Sequence, residues 1–351
     1  METSNNTMMR LQIRPVYGLR LIFAFCIMFF HMGMLNHVVA KMVLSAFFVM
    51  SGFFMEMHHS FHNLDGRRWL KFELSHFCHF YPIQWLCVVL WLALSTASLS
   101  GKVAYHLLLV QSWVPDGKVY LSLNGASWFI STLLFSYLLF PLISYGTKRT
   151  PGGCKFAIAL CLASLMVYLN CVLEQNYYRQ VFPPARVVDF LLGILLCQCF
   201  KAMSDNSDFK KWFKKLVRVI DLALVAIVLM TCNLPDSGLE KLAVPMSWIF
   251  ISIFLGVFTL SAMSGEKCLV DRLLSLKPVV SLGKLSFEIY MIHEFVFAGM
   301  KHIGPLLDLQ SKSASYLAVG IILLLTVSFL LHYCLVKPVS KRVNKWVSVS
   351  L

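Results

Sequence analysis

The chain has 351 residues, of which 58% are hydrophobic and only 14% charged, and its mean hydropathy is +0.71. A soluble chain needs roughly 25% charged residues to cover its surface, so a soluble binder, a disordered chain and a fibrous protein are excluded. The net charge of +14 taken alone would suggest nucleic acid, but with this hydropathy the chain reads as a polytopic membrane protein.

Runs of about 20 apolar residues cross a bilayer as helices, because every backbone polar group must be satisfied internally there. The sequence predicts ten: 16–35, 38–57, 80–98, 127–146, 156–173, 186–203, 217–234, 244–263, 279–300 and 315–336. The expected fold is therefore an all-α bundle of membrane helices forming one integral-membrane domain. The first run begins at Val16, is long, and is followed directly by a second. It reads as a retained anchor rather than a cleaved signal.

That first span carries Arg20 and His31. Eleven residues come to three turns plus about 20°, so the two share a helix face about 16 Å apart. Ionisable groups inside spans are costly and are functional candidates for that reason. The plain alternatives are an Arg20 that reaches back to the headgroups and a His31 that satisfies a neighbouring carbonyl.

Arg67, Arg68 and Lys71 follow the second span in a loop. The stretch 99–126 reads as an outer loop with an interfacial piece around His106–Trp113. Asn124 to Phe129 then leads into the fourth span through a turn, a candidate cap and an aromatic anchor. Arg186 and Asp189 stand three apart at the start of the sixth span, a spacing that suits an ion pair. From Lys210 to Lys215 bases alternate with Trp212 and Phe213, as suits an anionic inner leaflet.

The ninth span holds Ser286, Glu288, Tyr290, His293 and Glu294. Ser286, Tyr290 and His293 fall within about 60° of one another on a helix. Such a polar stripe should face the bundle interior, either for function or for helix–helix hydrogen bonds. His332, in the tenth span, carries no motif.

The bases decide the orientation. With the N-terminus inside, and bases in the first or last four residues of a span counted with the adjoining segment, cytoplasmic segments hold twenty-one Lys and Arg and outer segments eight, with Arg20 and Lys284 inside spans. Both termini are therefore expected in the cytoplasm. Topology accounts for the basic balance, and no nucleic-acid partner is expected. The eleven cysteines include no CxxC framework, so neither a metal site nor a disulfide scaffold is expected. There is no internal repeat.

Five segments in order resemble the acyltransferase type 3 family, from about Arg14 to Cys334. Arg20 followed by His31 resembles the family's Arg-x10-His in its first helix. Phe47-Phe48-Val49-Met50-Ser51-Gly52-Phe53 resembles the Phe-Phe-x-x-Ser-Gly-Phe of its second. Arg67-Arg68-Trp69-Leu70-Lys71 with Tyr81-Pro82 is similar to its Arg-x-x-Arg loop before a proline, with Lys71 in place of the second Arg. Arg186-Val187-Val188-Asp189-Phe190-Leu191-Leu192-Gly193 is similar to Arg-x-x-acid-Phe-x-x-Gly. Gly283 to His293 resembles Gly-x-x-Ser-Tyr-x-x-Tyr-x-x-His. Trp128-Phe129-Ile130-Ser131 is similar to the fourth-helix version that lacks a glutamate. A carboxylate partner for His31 is thus unassigned, with Glu288 and Asp189 as candidates.

The resemblance implies an O-acyltransferase, using acyl-CoA, most commonly acetyl-CoA, to modify an envelope glycan or glycolipid at a bacterial inner membrane. It implies His31 and Arg20 as catalytic residues and Arg67, Arg68 and Lys71 as contacts for the donor. It implies Ser51, Trp128, Arg186, Asp189, Ser286, Tyr290 and His293 as the acceptor cavity, with no metal. An added extracytoplasmic domain after the tenth span is not expected. Two other classes fit the residues alone: a proton-coupled transporter with His31, Glu288 and His293 as a relay, and a glycan-lipid flippase.

Overall fold

The computed structural model describes residues 14–94, 101–172, 177–204, 249, 251, 252, 255 and 269–350. It is 85% helix, without strands among the described residues. The helices are α1 (Arg14–His31), α2 (His37–His59), α3 (Gly66–Leu94), α4 (Lys102–Leu107), α5 (Gly117–Tyr120), α6 (Ser127–Arg149), α7 (Gly152–Val172), α8 (Pro183–Ser204), α9 (Leu269–Leu274), α10 (Lys277–Gly283), α11 (Ser286–Leu306), α12 (Ala314–Leu331) and α13 (Lys337–Ser350). A π-turn, His332–Val336, joins α12 to α13.

Among the described residues, five helices are long and apolar enough to cross a membrane: α1, α2, α3, α6 and the continuous rod Ala314–Val347. The expected spans 217–234 and 244–263 fall almost entirely outside the described residues, as does Lys210–Lys215.

Several expected boundaries move, each for a local reason. The first span stops at His31 rather than at residue 35. Gly33 adopts φ 68°, the Gly33 N–H donates to Phe30 O and the Met34 N–H to Phe29 O. These two bonds close the helix through a left-handed glycine. The third helix starts at Gly66, so Arg67, Arg68 and Lys71 lie in its first turns and not in a loop. Asp65 caps it, its carboxylate accepting from the Arg67 N–H at 3.0 Å. The ninth span is broken at Lys284 and Leu285 into α10 and α11. The stretch 101–126 is not an irregular loop: α4, a 3-10 turn at Gln111–Trp113 and α5 fold it.

The described residues fold as two units, those within 1–64, 139–180 and 184–284, and those within 65–138, 181–183 and 285–351. In the first unit α10 lies so close to α1 that a Cβ on Gly283 would stand 2.1 Å from the Tyr17 carbonyl oxygen. The α2–α8 crossing is tighter still. A Cβ on Gly52 would lie 2.0 Å from Phe190 O, and one on Gly193 2.0 Å from Val49 O. Only glycine allows two backbones to approach so closely. Phe140 links this packing, with ring centroids 5.8 Å from Phe61 and 6.1 Å from Phe190.

In the second unit α11 sits against α3, with Phe287 5.2 Å from the His79 ring and 5.3 Å from Phe80. On α12 only Tyr316, Gly320, Leu324 and Ser328 are buried. Four residues is just over one turn, so these form a single inward stripe. The remaining apolar surface, including Ile322, Phe329 and Leu330, is exposed. A helix apolar on every side with one buried stripe is what lipid contact requires. Beyond the π-turn, α13 packs along α3.

Candidate active site

Each unit holds polar groups that an apolar interior would not keep without partners. In the first unit Arg20 and His31 lie on one unbroken helix, so their separation is that of an ordinary α-helix. Arg20 is half-buried. His31 is exposed, at the last helical position before the glycine cap.

Pro183 and Pro184 open α8; proline fits the first helical positions because their N–H groups have no intrahelical acceptor. Arg186 and Asp189 follow within the first turns. They form the ion pair that their spacing suggests, both fully buried. Asp189 also accepts from the Ser45 hydroxyl on α2 at 2.9 Å. Arg186 Nε donates to Gln180 O at 3.0 Å. The guanidinium lies 5.5 Å over the Phe48 ring, while Nη2 is buried without a hydrogen-bond partner among the described residues. Ser51, half-buried on α2, precedes the Gly52 contact with α8.

Near the other end of α2 lies a node that sequence reasoning did not single out. Glu56, 1% exposed, accepts from Ser144 at 2.6 Å and Ser60 at 2.8 Å, and Lys148 stands 3.7 Å away. Lys201 Nζ donates to the Glu56 carbonyl at 3.1 Å.

In the second unit α11 clasps the turn that precedes α6. The Tyr290 hydroxyl donates to Ala126 O at 2.9 Å. Asn124 Nδ2 donates to Met291 O at 2.9 Å, and the Gly125 N–H to the Glu294 carboxylate at 3.1 Å. The Asn124 turn was visible in the sequence; its attachment to Glu294 was not. Ser286, Tyr290 and His293 are all buried on α11. His293 Nδ1 lies 2.6 Å from Tyr290 O. A carbonyl oxygen only accepts, so Nδ1 carries the hydrogen and Nε2 is the basic nitrogen of the neutral ring. Trp128 is half-buried, and its carbonyl accepts from the Ser112 hydroxyl at 2.7 Å.

The two carboxylates considered for His31 have these other ligands. Asp189 holds Arg186 and Ser45, and Glu288 Oε1 lies 2.7 Å from His332 Nδ1. His332 thus has a carboxylate partner that no motif marked.

The segment between α3 and α6 is tied down by His106, which is fully buried. Its Nε2 lies 3.0 Å from Val119 O and 3.0 Å from Ser122 Oγ, and Gln84 Nε2 donates to its carbonyl at 3.0 Å. Burial holds its pKa below the ordinary 6.5, against a smaller opposing effect of the Val119 carbonyl.

Similarity to known proteins bears on the chemistry. Residues 16–333 match the acyltransferase domain family. The acyltransferase MdmB of Streptomyces mycarofaciens is 26% identical over 182 residues, 45% of this chain and 46% of that protein. The chain thus matches about half the length of that curated relative. No solved structure matches. Helices of membrane-spanning length, an inward polar stripe on α11 and a family match over nearly all of them lead to one conclusion: the chain belongs to the acyltransferase type 3 family.

Proposed function

We propose that the protein moves an acyl group, acetyl in the first instance, from acyl-CoA to a hydroxyl of an envelope or exported glycan. The membrane is a bacterial inner membrane, with both termini in the cytoplasm. The observation that carries the reading is the unbroken α1 helix with Arg20 half-buried along it and His31 exposed at its end, in a chain of this family.

In this reading Arg67, Arg68 and Lys71 pair with the donor's phosphates, as cations do in charge-assisted hydrogen bonds. Arg20 aligns the pantetheine arm. His31 takes the proton from the acceptor hydroxyl as its oxygen attacks the thioester carbonyl. The C–S bond then breaks and the proton passes to the departing thiolate, giving ester and free coenzyme A. Acylation of the imidazole first, then of the acceptor, is the covalent variant. The acceptor contacts proposed from the family resemblance are Ser51, Arg186 and Asp189 in the first unit and Trp128, Ser286, Tyr290 and His293 in the second. The buried, unpartnered Nη2 of Arg186 supports a role in holding an acceptor oxygen.

Mass analysis of envelope glycans from cells with and without the chain tests the reading. An acetyl-sized increment that disappears with the gene product is expected. Glycans unchanged in mass, with no acyl-CoA turnover by the purified protein, would overturn it.

A further inference from the structure

Two helices of the second unit are longer than a bilayer needs. The hydrocarbon core takes about 20 helical residues, yet α3 has 29 and the rod Ala314–Val347 has 34. Both carry their cations at one end: Arg67, Arg68 and Lys71 at the start of α3, and Lys337, Lys341, Arg342 and Lys345 on α13.

Side-chain contacts through α11 fix the level of one helix against the other. Phe287 of α11 touches His79 and Phe80 of α3, and its neighbour Glu288 bonds His332. Residues 79–80 and 332 therefore lie at one height. Counting from there at 1.5 Å per residue, Lys341 and Lys345 lie about 14 and 20 Å further along, and Lys71 and Arg67 about 12 and 18 Å along. Since α13 packs along α3, the two sets of cations lie at the same level on neighbouring helices.

The faces agree. Val336 and Val347 are buried and Val339, Ser340 and Val343 half-buried, while Lys337, Lys341, Arg342 and Lys345 are all exposed. There is no acid in α13. On α3, Glu73 bonds Trp69 at 3.0 Å, and both lie on the face opposite Arg67 and Lys71. Asp65 caps the helix. The two helices thus carry seven cations, against the two acids Asp65 and Glu73. The family match ends at residue 333, so α13 is a feature of this chain beyond the matched domain.

We infer that α13 completes the donor site: Lys341 and Arg342, beside Arg67, Arg68 and Lys71, bind the phosphates of the acyl-CoA nucleotide. The inference rests on the acyl-CoA reading above. A lipid headgroup offers the same phosphate chemistry, so the test must separate the two sources.

The full chain is placed in nanodiscs of zwitterionic lipid, and its affinity for coenzyme A is measured for wild type and for the double variant Lys341→Gln, Arg342→Gln. These side chains are exposed, so folding is retained. Binding about tenfold weaker, with the KM for acyl-CoA raised likewise and kcat unchanged, is expected. If wild type binds coenzyme A and the double variant binds it equally, the inference falls and the acyl-CoA reading stands. If the variant loses only the melting-temperature gain that phosphatidylglycerol gives wild type, the phosphate belongs to a lipid and the inference is likewise overturned. A wild type with no affinity for coenzyme A would remove the acyl-CoA reading itself.

Discussion

His31 is exposed at the last position of its helix and is followed by a glycine cap, so replacing it leaves the buried face of α1 intact. That makes His31 a clean test of chemistry. His31→Ala should lower acyl transfer by at least about 10²-fold, the lower end of what a general base contributes, with an unchanged melting temperature in detergent. His31→Gln keeps size and some hydrogen bonding but takes no proton near neutrality, so it should be nearly as inactive. A well-folded Gln variant with most of its activity would pass the role to His293, whose Nδ1–H is already committed to Tyr290 O.

At the scale of elements, the α2–α8 crossing is the sharpest constraint. A Gly193→Ala methyl would meet backbone atoms 2.0 Å away, and overpacking of that kind costs about 1–3 kcal/mol. Gly146, inside α6, has nothing within 4 Å of its Cβ position, so Gly146→Ala should be neutral or stabilising by about 0.5–1 kcal/mol. Thermal melts of the two variants side by side check this. The 101–126 segment predicts a pH effect. His106 is held neutral by burial, with a lowered pKa, so the unfolded chain binds its proton more readily. Its contribution to stability is full above pH 6.5 and declines as pH falls below that value. His106→Gln should flatten this acid-side slope in melting temperature; a variant with the wild-type slope would assign the effect elsewhere.

Local features are the legible ones. Apolar length marks α1, α2 and α6, and a spacing of three brings Arg186 to Asp189 because helix geometry alone does so. The start of α3 is less legible: Arg67 to Lys71 look like a surface loop, yet nothing in them breaks a helix, and Asp65 caps one. Ser45 with Asp189 and Asn124 with Met291 join residues 144 and 167 positions apart. No periodicity encodes such pairs, since they depend on which helices become neighbours. For the same reason His332 looks idle in the sequence and holds Glu288 in the fold.

For the whole molecule, twenty-one bases against eight predict ten spans with both termini in the cytoplasm. Cysteines introduced at Ser204 and at Asp236, the latter outside the described residues, should be labelled from opposite sides of the membrane. Labelling from the same side would reverse the assignment of the donor face. The Arg186 node bears on how such a chain is made. An arginine stays charged at any depth, so α8, if it is the sixth span the sequence predicts, is poorly suited to sit alone in lipid as it leaves the ribosome. What neutralises and cradles it comes from two places: Asp189, three residues on, and Ser45 and Phe48, more than a hundred residues earlier. By the time α8 is translated, α2 has long been synthesised. The order of the chain therefore supplies the receptor before the guest, and biogenesis of this region becomes the capture of a late helix by an early one.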